Sequence, residues 1–259
     1  MASTEPPLLI VEDLIVEFDG VAAVAGASLA VDRGSITGLI GPNGAGKTTL
    51  FQSVSGIQRS HGGRVLFAGE EITHRAPVQI AKAGLRRSFK MARPFGSLSV
   101  LENMMLGAPH QRGEALWRTY LLHGRVRREQ KEIAERAGEL LKVLRLETLA
   151  TSSASTLSGG QRKLLDFGRA LMADPELLLL DEPMAGVNPV LANELLGHIL
   201  RLREERGMTF FIIEHDLDFV MRSSDYVVVM SEGKVITSDT PAKVIEDTRV
   251  LEAYLGIRG

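Results

Sequence analysis

The chain has 259 residues, 44% of them apolar and 24% charged, with a formal net charge of −2 and no cysteine. That length buries a sizeable core, as one large domain or a domain carrying an insertion. The charge balance gives no general pull towards nucleic acid or anionic lipid, and the missing cysteines exclude disulfides, thiolate metal sites and cysteine nucleophiles. No apolar run is long enough to cross a bilayer, and Met1–Pro7 lacks the pattern of a signal peptide. A cytosolic chain is expected, with any membrane role coming through a partner.

Leu8–Glu17 and Ala27–Val31 read as strands, and Ser35–Ile40 as an apolar strand running into a glycine-rich loop. Lys47–Val54 continues as a helix, and Arg64–Phe67 with Glu70–Thr73 reads as a hairpin around Ala68-Gly69. From about 91 to 156 the pattern becomes helical, with a basic segment at Arg125–Arg128 and a long helix over Glu129–Leu144. Arg125–Arg128 is a solvated helix face or a contact to lipid headgroups; Trp117 fills a core or meets a partner. Leu177–Leu180, Phe210–Ile213 and Val227–Met230 return as apolar strands. Between the first two, Asn188 caps a helix that Pro189 opens. Strands alternating with helices predict a mainly parallel sheet covered on both faces, with a helical insertion between its halves.

Gly41-Pro42-Asn43-Gly44-Ala45-Gly46-Lys47-Thr48, followed by Thr49, fits the phosphate-binding pattern G-x-x-x-x-G-K-[ST]. Its glycines let successive backbone N–H groups face phosphate oxygens, and the helix behind adds its positive end. Lys47 neutralises the outer phosphates, and the Thr48 hydroxyl reaches Mg²⁺. Leu177–Leu180 ends in Asp181, placed to hold Mg²⁺ through water, and Glu182, placed to orient and deprotonate the attacking water. Ser158-Gly159-Gly160-Gln161 opens a helix and forms either a second anion site or an ordinary glycine-rich cap. Two phosphate-facing sites in one chain suggest a dimer in which each second site closes on the partner's nucleotide. His215, after the Phe210–Ile213 strand, fits a γ-phosphate sensor better than a structural histidine.

Together these residues resemble the ATP-binding cassette ATPases over essentially the whole chain, a single domain of residues 1–259. The resemblance implies a P-loop NTPase core with a mainly parallel sheet, an N-terminal antiparallel β-subdomain and an inserted α-helical subdomain near residues 91–156. It also implies ATP and Mg²⁺, a head-to-tail dimer, and stacking of adenine on Phe18. Glu182-Pro183-Met184-Ala185-Gly186-Val187-Asn188-Pro189, Ile213–Leu217 and Arg249–Gly256 are similar to the ATP-binding subunits of branched-chain amino acid importers. Such subunits pair with a second, identical or related ATPase on membrane permease subunits, fed by a solute-binding protein, at the inner face of the membrane. Urea and amide importers share the motifs, and no nucleic acid partner is implied. Other readings are a lipid or lipopolysaccharide exporter's ATPase and a soluble non-transport cassette.

Two positions depart from the general family. Asn188 stands where many cassettes have aspartate. Lys90 stands where a water-positioning glutamine usually touches the metal; an ammonium cannot ligate Mg²⁺ but can pair with γ-phosphate oxygens, which implies slower hydrolysis, unless the register slips locally and Lys90 simply faces solvent.

Overall fold

A computed structural model describes the backbone of residues 5–88, 94–109 and 123–255. The expectations resting on Lys90, on Trp117 and on the side chains of Arg125 and Val126 lie outside the described residues. The chain divides into two compact units: one of Met1–Lys90, Glu176–Ala185 and Ile199–Gly259, the other of Met91–Pro175 and Gly186–His198.

The first unit holds two sheets. In the four-stranded one, β1 (Leu9–Phe18) lies between β2 (Val21–Val31) and β4 (Gly62–Phe67), and β5 (Glu70–Glu71) follows β4. All three pairings are antiparallel. β2 starts six residues before the expected Ala27, because cross-strand pairing with β1 overrides the weak strand preference of Ala22, Ala23 and Ala25. The turn between them, Asp19-Gly20, has φ of 48° and 82°, the left-handed pair of a two-residue hairpin.

The six-stranded sheet has the order β10-β9-β3-β8-β7-β6. Its members are β3 (Ile36–Ile40), β6 (Leu85–Arg87), β7 (Leu177–Asp181), β8 (Thr209–Ile213), β9 (Tyr226–Ser231) and β10 (Lys234–Asp239). Only β10 runs antiparallel, against β9. Every residue of β3, β7 and β8 is buried, as two-sided cover of a parallel sheet requires. Phe51 of α1 (Lys47–Val54) packs on Phe211 of β8 with ring centroids 4.8 Å apart. Short helices α2 (Pro77–Lys82), α7 (Leu217–Ser223), α8 (Pro241–Glu246) and α9 (Thr248–Leu255) complete this unit.

The register aligns the carboxyl ends of the central strands: Leu39 and Asp181 both pair with Ile213. In an open α/β sheet, that edge is where ligands bind.

The second unit is helical: α3 (Val100–Met105), α4 (His123–Val143) and α5 (Gly159–Leu171). The core gathers around Gly168, where an added Cβ would lie 2.6–2.8 Å from atoms of Leu144 and Met104. Leu140, Leu141, Leu164 and Leu165 are buried in the same unit. Helix α6 (Pro189–Arg206) begins in the residues of the second unit and ends in those of the first. At its start the Leu191 N–H donates to Asn188 Oδ1 at 3.0 Å. No described helix is long and apolar enough to cross a membrane.

Candidate nucleotide site

The loop after β3 is shaped by backbone contacts that only glycine tolerates. Gly41 has φ 149°, and a Cβ there would come within 2.0 Å of the Met230 carbonyl oxygen. Gly46 has φ 95°, and its Cβ would meet the Ala23 carbonyl oxygen at 2.3 Å. Gly46 is also the N-cap of α1 and supplies no side-chain cap, leaving the first-turn N–H groups available to an anion. Lys47 is 6% exposed, and its Nζ donates to the carbonyl oxygens of Gly41 and Pro42 at 2.8 and 2.9 Å.

A cleft of about 430 Å³ opens beside this loop, lined by Phe18, Ala23, Asn43 through Thr49, Glu182 and His215. Its size suits a small organic ligand. Phe18 ends β1 at the hairpin turn and remains 45% exposed, so its ring is available to a flat partner.

Glu182 follows β7 with φ 51°, a left-handed conformation for a non-glycine residue. Its N–H donates to the Ile213 carbonyl at 2.9 Å. Its Oε1 lies 3.0 Å from His215 Nε2. The structure therefore brings the loop residues, Phe18, Glu182 and His215 to one cleft.

Asp181 lies behind that rim with its carboxylate fully buried. Arg87 of β6 donates from Nη2 to Asp181 Oδ2 at 2.7 Å. Asp181 Oδ1 is buried and has no hydrogen-bond partner among the described residues. An ionised oxygen left in this way fits a hard cation taking oxygen ligands, with the Thr48 hydroxyl on the cleft wall as a second donor.

Ser158, Gly159, Gly160 and Gln161 belong to the second unit. Ser158 caps α5: its Oγ accepts from the Gln161 N–H at 3.3 Å, while Gln161 Oε1 accepts from the Ser158 N–H at 2.9 Å. Ser158 and Gly159 are exposed. The cap and an exposed helix start thus occur in the same four residues.

Three residues at the first unit's site had no role in the sequence reading. Arg87 is a cation in a segment that the sequence did not mark as a strand, and its pairing with Asp181 depends on β6 lying beside β7. Glu214, directly after the apolar β8, is 3% exposed, and its Oε1 accepts from the Met184 N–H at 2.7 Å. An acid abutting an all-buried strand was the available signal. Tyr254 of α9 is 40% exposed; burial of the remainder pushes its phenol upward, while a hydrogen bond from the Gly41 backbone acts in the opposite direction.

The sequence profile of the ABC transporter family matches residues 24–185. A probable branched-chain amino acid transport ATP-binding protein LivG of Archaeoglobus fulgidus is 41% identical over 249 residues, covering 96% of this chain and 95% of that protein. The high-affinity branched-chain amino acid transport ATP-binding protein LivG of Escherichia coli K12 is 36% identical over 250 residues, covering 96% and 98%. Among solved structures, a nucleotide-free ATP-binding cassette from an ABC transporter superposes with a TM-score of 0.83 at 36% identity, covering 96% of this chain and 99% of that one. With the phosphate loop, the strand-end carboxylates and the histidine in one cleft, and with similarity running nearly end to end, the chain belongs to the ABC transporter family of ATP-binding cassettes.

Proposed function

We propose that the chain is the ATP-hydrolysing subunit of a membrane importer for branched-chain amino acids or related small polar solutes such as urea and amides. The observation that carries hydrolysis is the 3.0 Å pairing of Glu182 Oε1 with His215 Nε2 on the wall of the phosphate-loop cleft. The branched-chain amino acid class rests on the relatives, the transport proteins LivG of Archaeoglobus fulgidus and of Escherichia coli among them, and urea and amides on the shared motifs.

In this reading ATP lies along Asn43–Thr49 with adenine against Phe18. The loop N–H groups and the start of α1 hold the phosphates, and the Lys47 ammonium exchanges the carbonyls of Gly41 and Pro42 for phosphate oxygens. The Thr48 hydroxyl and, through water, the Asp181 carboxylate would hold Mg²⁺, which would supply positive charge against the phosphates. The Glu182 carboxylate orients water and takes its proton. His215, 3.0 Å from Glu182 on the cleft wall, lies between that carboxylate and the terminal phosphate, so the pair reads whether that phosphate is attached.

The exposed start of α5, Ser158–Gln161, faces the nucleotide of a second cassette, so two chains enclose two ATP molecules. Membrane permease subunits at the inner face of the membrane convert closing and reopening into transport, and a solute-binding protein feeds them. Glu182→Gln tests the hydrolytic part. ATP binding should persist, turnover should fall at least ~100-fold, and an ATP-bound dimer should accumulate on gel filtration; near-normal turnover refutes the assignment. Uptake of labelled leucine, urea and acetamide by cells with and without the gene tests the solute.

A further inference from the structure

We propose that Glu214 is a positioning residue for hydrolysis, its buried carboxylate tying the backbone of the Glu182 loop to the backbone of His215. The inference rests on the roles given above to Glu182 and His215.

The sheet itself holds these two residues only up to their doorstep. Asp181 and Ile213 are the last paired positions of β7 and β8, and one further bond, from the Glu182 N–H to the Ile213 carbonyl, closes the ladder. Beyond it the two chains part. The Glu214 carboxylate then spans them: Oε1 accepts from the Met184 N–H at 2.7 Å and Oε2 from the His215 N–H at 3.2 Å. One side chain thus fixes the residue two past Glu182 and the residue whose ring Glu182 meets.

Glu182 needs such a hold. Its φ of 51° is a conformation that a side chain with a Cβ keeps only when its surroundings over-determine it. Contacts fix it from both sides: the Ile213 carbonyl before the turn, the Ala185 N–H donating back to the Glu182 carbonyl at 3.2 Å, and the Glu214 carboxylate at Met184. A carboxylate suits the task because it has two oxygens and only accepts. A glutamine offers one acceptor and a donor NH₂ that faces an N–H. The cost of burying the acid, at 3% exposure, is offset by charge-assisted bonds to backbone.

Since the sheet ends before Glu214 acts, its replacement should loosen the Glu182–His215 approach and leave ATP binding alone. The test is Glu214→Gln in the full-length chain, with steady-state ATP hydrolysis, ATP affinity and thermal unfolding measured together. The expected result is a kcat roughly ten-fold lower or more, as misplacement of a reacting group produces, with KM within about two-fold and a melting point close to the parent's. Added to His215→Ala, the same substitution should lower turnover by less than about two-fold, because both act on one geometry. An unchanged kcat, or a full ten-fold loss in the His215→Ala background, overturns the proposal. Should His215→Ala itself hydrolyse ATP normally, the reading beneath fails first and takes this one with it. Where Glu214→Gln does not fold, amide exchange in the parent decides: the Met184 N–H should exchange slowly, and exchange at an open-chain rate overturns the clamp.

Discussion

Arg87→Met puts a number on the pair behind the phosphate site. The Arg87–Asp181 contact is 2.7 Å, with side-chain exposures of 13% and 0%, so solvent screens it little. Two charges about 4 Å apart at an effective dielectric near 20 attract by about 4 kcal/mol. Removing one partner of a buried pair costs about 3–5 kcal/mol, because the other stays buried and charged. Arg87 Nε is also buried without a hydrogen-bond partner among the described residues, so its removal returns about 1 kcal/mol. The net loss is about 2–4 kcal/mol, and at about 2–4 °C per kcal/mol for a chain of this size the melting point should fall by about 5–15 °C. Differential scanning calorimetry measures it. Adding Asp181→Asn removes the stranded charge and should recover most of the loss. A drop of under about 1 °C for Arg87→Met, or a double variant no more stable than the single, would refute the electrostatic reasoning.

Two further outcomes follow from the geometry, and a third from the family resemblance. Gly46→Ala forces a Cβ to 2.3 Å from the Ala23 carbonyl at φ 95°, so ATP binding measured by calorimetry should be lost even where circular dichroism shows a folded chain; binding within two-fold of the parent contradicts the loop geometry. The Asp247 carboxyl is held down to about 2 from 3.8, chiefly by the hydrogen bond from Arg249. A depressed acid contributes stability above its ordinary pKa and loses it as pH falls through the folded value. Asp247→Asn should therefore lower stability at neutral pH and flatten the acid limb between about pH 4 and 2 in urea titrations; an unchanged limb rejects the pairing. By the family resemblance, which puts a metal-touching glutamine at this position, Lys90→Gln should raise ATP turnover, because an amide oxygen can ligate Mg²⁺ and an ammonium cannot; no increase, or a loss, counts against that chemistry.

The parts of the fold that repeat a local period were readable in sequence. Leu177–Leu180 and Phe210–Ile213 have no polar break, and the helix at Lys47–Val54 begins where its glycine loop stops. What escaped depends on pairing across long distances. Leu85–Arg87 is three residues long with two arginines, and becomes a strand only because β7 offers it an edge. β10 likewise forms against β9. At the site, residue type and spacing pointed to the loop, Asp181, Glu182 and His215. Arg87 and Glu214 act through partners far along the chain, Asp181 and Met184, and no local pattern encodes those meetings.

The central position of β3 has a consequence for how the protein is made. All five of its residues end up buried, yet its neighbours come late: Ile36 pairs with Phe210 and Thr37 with Tyr226. At about 5–20 residues per second, a ribosome takes roughly ten to forty seconds to supply them. For that interval the nascent chain carries a strand destined to be wholly buried without the sheet that covers it, which makes it a client for holding chaperones. A chain stalled before Met230 carries the complete glycine loop in sequence but lacks the carbonyl against which Gly41 sits. It also lacks the Gly233 N–H, which donates to the Ala45 carbonyl of that loop at 3.2 Å.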